Sequence, residues 1–294
     1  MSRTFYIKNS QAPKVMTTRE ILELQKGKFT HYEIYEDEAD LEEFLNMPIN
    51  ECGYLLIGQD GISGRGFEVA YEEEIEEYSV RVFTPSTEAD WLGAFEFIKN
   101  LAQYLKVQVV DEEDFVYDAD NITFDYRKDI EAGIKAYTEN DEDEKMFLFG
   151  VNRPVCFGAE IVQKLQSSEN KVEDFSKFVE YQQYLDGLDH YVANPLFYGD
   201  EEDNIFGAYV LTEGVVSVLP YEHPPFIDIT KYSIEQEQIK EWSVILVENS
   251  NDFSEIGKLN YQTFLERLPQ EKIKKLDGHY MLIELSKEEM KSLL

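Results

Sequence analysis

Residues 66–110 carry a pattern that leaves little choice of fold class. Phe67, Val69 and Tyr71 fall on one face of an extended segment, and Tyr78, Val80 and Val82 on one face of a second. The acidic run between them predicts a turn, so the two pair as a hairpin. Pro85 ends the second strand, and Thr87 with Asp90 three residues on predicts a capping box, Asp standing in for the usual Glu. Trp91, Leu92, Phe95, Ile98, Leu101, Ala102 and Leu105 then recur at helical spacing. Glu88 and Asp90 in the first turn and Lys106 at the end suit the helix dipole. Val107 to Val110 follows as a strand. This β-β-α-β run predicts an α+β fold, a mainly antiparallel sheet with helices on one face.

The remaining segments fit that class. Thr17 or Thr18 caps a short helix stopped at Gly27, Phe29 to Tyr35 is of β type, and Leu41, Phe44 and Leu45 share one face of an acidic helix ending before Pro48. Tyr54 to Ile57 and Ile122 to Tyr126 predict strands, and 127–138 a helix. In the second half, Phe147 to Val151 predicts a strand, Ala159 to Leu165 and Val172 to Leu185 helices. Glu213-Gly214 predicts a hairpin turn between Ile205–Leu211 and Val215–Leu219. Trp242 to Val247 is a strand, Asp252 with Glu255 caps a helix ending at Pro269, His279 to Leu285 is a strand, and Ser286 with Glu289 caps the last helix.

Five acids between Glu139 and Lys145 mark the boundary between two expected domains, 1–140 and 145–294. Shifting the chain by 164 residues superposes 77–101 on 241–265, with Glu77/Glu241, Ser79/Ser243, Val80/Val244, Ser86/Ser250, Gly93/Gly257 and Leu101/Leu265 identical. The second domain is therefore expected to be a pseudo-repeat of the first, giving two similar halves. An ordinary strand-to-helix unit would align in the same way.

Charge limits the partners. Lys plus Arg is 27 against 60 Asp plus Glu, a formal net charge of −33. No Lys/Arg stripe exists to neutralise phosphates, which argues against nucleic acid and against anionic membranes. A basic protein partner is the expected kind. The acids gather at Glu36-Asp37-Glu38, Glu72-Glu73-Glu74 with Glu76-Glu77, Asp111 to Asp114, Asp141 to Glu144 and Asp200 to Asp203. They keep a chain apart from its neighbours or steer a basic partner to it. The oligomeric state is not legible.

Chemical motifs are few. The opening Met1 to Lys8 has no apolar leader and no window is apolar enough to span a membrane, so a cytoplasmic protein is expected. Cys52 and Cys156 lie far apart and read as small core residues. The four histidines, His31, His190, His223 and His279, are scattered, no acidic run has calcium-loop spacing, and no Gly-x-Ser-x-Gly elbow occurs. No cofactor, metal site or catalytic set is expected. Gly58, Gly61, Gly64 and Gly66 with Arg65 form a glycine-rich connection. A strand follows it instead of the helix a phosphate loop needs, so it reads as a tight strand connection. Gly64, Arg65 and Gly66 as an anion-binding loop, and Glu72, Glu73 and Glu74 as a contact for a basic partner, are the candidate binding residues.

The segments Phe5-Tyr6-Ile7-Lys8-Asn9, Gly64-Arg65-Gly66-Phe67-Glu68-Val69 and Tyr78-Ser79-Val80-Arg81-Val82 through Trp91 resemble a family of uncharacterised proteins of about this length from Gram-positive bacteria, a domain-of-unknown-function family. The resemblance spans the chain and implies a bacterial cytosolic protein. It supplies no catalytic residues. The function expected is a non-catalytic, protein-binding one. The alternatives are an acidic inhibitor or immunity protein against a basic partner, and an enzyme with a carboxylate-based site between the halves.

Overall fold

The computed structural model describes residues 1–33, 37–139, 145–200, 204–227, 229–249 and 254–294, without the side chains of 229 and 230. The acidic residues Glu36, Asp141 to Glu144 and 201–203, and the expected cap Asp252, lie outside the described residues. The fold is α+β. The chain forms two compact units, the first from 1–139, Phe149–Arg153 and Val162–Asp186, the second from Lys145–Leu148, Pro154–Ile161 and Gly187–Leu294. The units are therefore interleaved in sequence, whereas a single cut at 140–145 was expected.

The first unit holds β1 (Ser2–Lys8), α1 (Thr18–Leu24), β2 (Thr30–His31), α2 (Glu38–Asn46), β3 (Leu55–Gly58), β4 (Phe67–Glu72), β5 (Glu77–Phe83), α3 (Glu88–Leu105), β6 (Val109–Asp111), β7 (Val116–Tyr117) and α4 (Tyr126–Thr138). Its sheet runs β2-β3-β4-β5-β1-β6-β7, antiparallel throughout. Register explains the alternation. Leu55 pairs with Val69, Val69 with Val80 and Val80 with Phe5, so one buried row crosses four strands. On it lies α3, held at its start by the Thr87–Asp90 capping box and turned out by Lys106 in the left-handed region. Trp91, Phe97, Ile98, Leu101 and Leu105 face the sheet, each worth about 1.5–3 kcal/mol on burial. The strand expected at Ile122 to Tyr126 does not form. The pairing is made by Val116–Tyr117 instead, and Tyr126 already begins α4.

Beyond α4 come β8 (Met146–Phe149), β9 (Pro154–Phe157), α5 (Ala159–Ser167) and α6 (Lys171–Tyr184). The last of these packs on α3 and α4, which is why it groups with the first unit. The second unit continues with β10 (Tyr191–Val192), β11 (Leu196–Gly199), β12 (Ile205–Thr212), β13 (Ser217–Pro220), α7 (Ile229–Tyr232), β14 (Ile239–Val247), β15 (Glu255–Asn260), α8 (Tyr261–Arg267), β16 (Lys274–Lys275), β17 (Tyr280–Ile283) and α9 (Lys287–Leu293). These strands make two sheets, β11-β12-β14-β15 and β10-β13-β17-β16. Tyr209, Trp242, Val244, Tyr261, Phe264 and Met281 form their shared core.

Two expectations need correction here. Glu213-Gly214 is a turn, but β12 and β13 enter different sheets and do not pair as a hairpin. The pseudo-repeat also fails. Where 88–105 is helix, the matching stretch contains a strand, 255–260, before a short helix begins at Tyr261. The sheets differ as well: β5 has two antiparallel neighbours, whereas β14 lies parallel to β12 and antiparallel to β15. The apolar spacing of 256–265 serves either element over so short a length, and pairing with β14 decides it.

Candidate functional site

The glycine-rich connection is a load point of the first unit, organised by Asp90. Its carboxylate is fully buried and accepts backbone N–H groups of Arg65 and Gly66, each at 2.9 Å, the Ser86 hydroxyl at 3.0 Å, and the Thr87 hydroxyl and amide at 2.9 and 3.2 Å. Gly66 has φ +68°, and a Cβ there would lie 2.5 Å from the Ile57 carbonyl oxygen, so only glycine fits. A side chain on Gly64 would strike Thr87 and Val179. Arg65 is buried. Its guanidinium donates to the carbonyls of Pro85 at 2.7 Å and Phe149 at 2.9 Å and lies 4.5 Å from the Phe83 ring centre. The anion-binding role expected for Gly64, Arg65 and Gly66 is thus corrected: the donors that would meet an anion already meet Asp90 and main-chain carbonyls.

Near Asp90 lies Glu180 of α6. Burial pushes its carboxyl up to about 7; the charge of Asp90 adds to this and a hydrogen bond with the Thr87 side chain opposes it. Tyr184, one turn on, donates to the Ser63 carbonyl at 2.8 Å and meets the Tyr32 hydroxyl at 3.4 Å.

Glu72, Glu73 and Glu74 stand exposed at the β4–β5 tip. Ser79 donates to Glu72, Asn50 to Glu73, and Lys8 lies 3.7 Å from Glu76. The second described acidic loop, 111–114, is elsewhere. Glu112 pairs with Arg3, at the other end of β1 from Lys8. Arg3 to Lys8 spans roughly 17 Å of strand, about two Debye lengths at physiological salt. Two other acids serve the fold: Asp37 caps α2, and Asp111 accepts the amides of Glu113 and Phe115 and the Tyr117 hydroxyl.

The groups that open on cavities are ones the sequence did not single out. In the second unit two cavities of about 400 Å³ each have Lys145 and Glu222 in both walls. The first is apolar, walled by Phe147, Pro224, Pro225, Phe226 and Ile227, with His279 and Gln236. Phe147 stacks on Phe226 with ring centres 3.8 Å apart. The second is mixed, with Glu160, Asp277, Lys275 and Tyr221 beside apolar groups such as Ile161 and Leu276 around the start of α5. Lys145 bonds to Glu222 and to the Gly278 carbonyl. Glu222 also meets His279 Nδ1 at 3.4 Å, and the Phe226 amide donates to His279 Nε2 at 3.1 Å. The imidazole is therefore neutral with its proton on Nδ1, and both nitrogens are engaged. Burial pushes His279 below its ordinary value, against the opposing Glu222. Burial also works against the charged form of Glu222, but Lys145 and His279 together hold its carboxyl below the usual carboxylate range. Asp277 accepts the amides of His279 and Tyr280 at 2.9 and 2.8 Å. The polar groups of these walls are thus already held by hydrogen bonds, and both ring nitrogens of the imidazole are engaged.

The sequence signal for this groove was thin. His279 sits at the head of an apolar strand, and Pro224-Pro225 reads only as a rigid loop. Lys145, Glu222 and Asp277 come from three distant segments. Among the described residues no three His, Cys, Asp or Glu converge to hold a metal, and no helix is long and apolar enough to cross a membrane.

The sheet topology defines an α+β chain in two compact units. The chain belongs to the family described as Domain of unknown function (DUF4299), whose model matches residues 2–293. No curated protein and no solved structure matches it.

Proposed function

We propose that this chain is a non-catalytic cytoplasmic protein-binding protein whose second-unit groove receives a basic, apolar-flanked segment of a partner. The observation that supports this is the pair of cavities that share Lys145 and Glu222 in their walls. Lys145 and Glu222 neutralise each other, which leaves the carboxylates of Glu160 and Asp277 against the single ammonium of Lys275. Beside them lies the aromatic and proline wall that would take the apolar flank. The net charge of −33 would steer a basic partner toward it.

A photo-crosslinking residue at Ile161, in the groove wall, tests the reading in extract of the native host. The expected result is a cross-linked segment rich in Lys or Arg, lost with Phe226→Ala and weakened by Glu160→Lys. An acidic segment, or equal capture from Lys99 in the first unit, overturns it. An acidic inhibitor would need one continuous acidic face. The 72–77 and 111–114 loops, at opposite ends of the first sheet, favour the groove over that alternative.

A further inference from the structure

A third cavity, of about 400 Å³, lies in the first unit, well away in sequence from the groove. Its described wall is Glu33, Phe44, Met47, Glu51, Cys52 and Tyr54, two carboxylates among two aromatic rings, a thioether and a thiol. We propose that this cavity is a binding site for an organic quaternary ammonium group.

Local structure brings the wall together. Glu33 follows β2, Phe44 and Met47 end α2, Glu51 and Cys52 close a single 3-10 turn, and Tyr54 precedes β3. Phe44 is steadied by an edge contact with His31 at 5.1 Å, and Tyr54 is 58% exposed, leaving its ring open to a ligand. Among the described residues no Lys or Arg forms an ion pair with Glu33 or Glu51, whereas Glu20, Glu42 and Glu96 are each paired. Both carboxylates act on the Cys52 thiol, which burial, in the first place, raises above its ordinary value.

The chemistry selects among cations. Calcium and magnesium take six or more oxygen ligands, which two carboxylates do not supply. Tetrahedral zinc needs converging Cys, His, Asp or Glu ligands, of which no group of three is placed to hold a metal among the described residues. A primary ammonium is strongly hydrated and needs several acceptors. A trimethylammonium group is weakly hydrated, donates no hydrogen bond, and presents methyl groups that ring faces and a thioether contact well. Cation–π attraction contributes about 0.5–2 kcal/mol per favourable ring. The carboxylates add long-range attraction without needing direct contact. The cation could be a small molecule or a methylated lysine of a protein, and both share the headgroup.

Choline and N-trimethyllysine amide are the probes, with 3,3-dimethylbutan-1-ol as the neutral isostere of choline. Cys52 supplies the readout: it is half-buried in the cavity wall while Cys156 is fully buried, so iodoacetamide should alkylate Cys52 selectively. The expected result is saturable slowing of Cys52 alkylation by one or both cations, at moderate salt. The isostere should fail at tenfold higher concentration. Tyr54→Ala and Glu51→Gln, both at exposed positions, should weaken protection at least tenfold with unchanged melting temperature. Protection by choline alone marks a small-molecule ligand, and by the lysine derivative alone a modified protein chain; either supports the site. Equal protection by the isostere, no protection by either cation at millimolar concentration, or protection that ignores both variants overturns it.

Discussion

The Asp90 carboxylate lies 2.9 Å from the backbone nitrogen of Arg65, 25 residues earlier in the chain. This one group both caps α3 and fixes the strand connection before β4. It thereby ties the helix to the sheet it covers. Capping an exposed helix is worth about 1 kcal/mol, but here five donors in a dry site depend on one carboxylate.

Asp90→Asn should therefore destabilise the protein by about 3 kcal/mol or more, because an amide nitrogen would face at least one donor. Chemical denaturation checks this. A loss near 1 kcal/mol would mean the carboxylate acts only as a helix cap.

Gly66→Ala should cost more than about 2 kcal/mol, combining a left-handed backbone with a Cβ pressed on the Ile57 carbonyl. Gly214→Ala is the comparison. It has φ +66° with open space around it, so only the backbone cost applies. Similar melting temperatures for the two variants would show that the loop relaxes freely.

Glu180 gives stability a pH dependence of definite sign. Its folded value is raised to about 7 from an ordinary 4.5, so the folded state favours the protonated acid. That contribution is complete below the ordinary value and is lost as pH rises through about 7. The wild-type melting temperature should fall between pH 4.5 and about 7, and Glu180→Gln should flatten the fall. An unchanged slope in the variant would assign it to other groups.

His279 acts with the opposite sign. Its folded value lies below 6.5, so its contribution is present above that pH and is lost as pH falls through the folded value. Protonation must place a proton on Nε2, where the Phe226 amide donates. Nitrogen-15 NMR should show the Nδ1–H tautomer at pH 7 and a titration midpoint below 6.5. The Nε2–H tautomer would contradict the hydrogen-bond assignment.

Charge reversal of Glu72, Glu73 and Glu74 to Lys should leave stability almost unchanged, since these side chains are exposed and pack against little. If the tip steers a basic partner, association slows much more than dissociation quickens, and the effect shrinks with salt. Unaltered association rates would leave the tip as plain solvated surface.

The sequence by itself determined what depends on neighbours in the chain. The alternation of Phe67, Val69, Val80 and Val82, the caps at Thr17, Thr87 and Ser286, and the α3 stripe from Trp91 to Leu105 are local patterns, and the structure has them all. Tertiary structure decided what depends on distant partners. Residues 255–260 are a strand because β14 offers them an edge, and β12 and β13 separate because each finds other neighbours. Arg65 became a buried support because Pro85 and Phe149 bring it carbonyls. The groove around Lys145, Glu222 and His279, and the cavity around Glu33, Glu51 and Tyr54, join side chains that no spacing rule relates. Sixty acids permit a great many pairs in sequence, and only folding selects which of them share a wall.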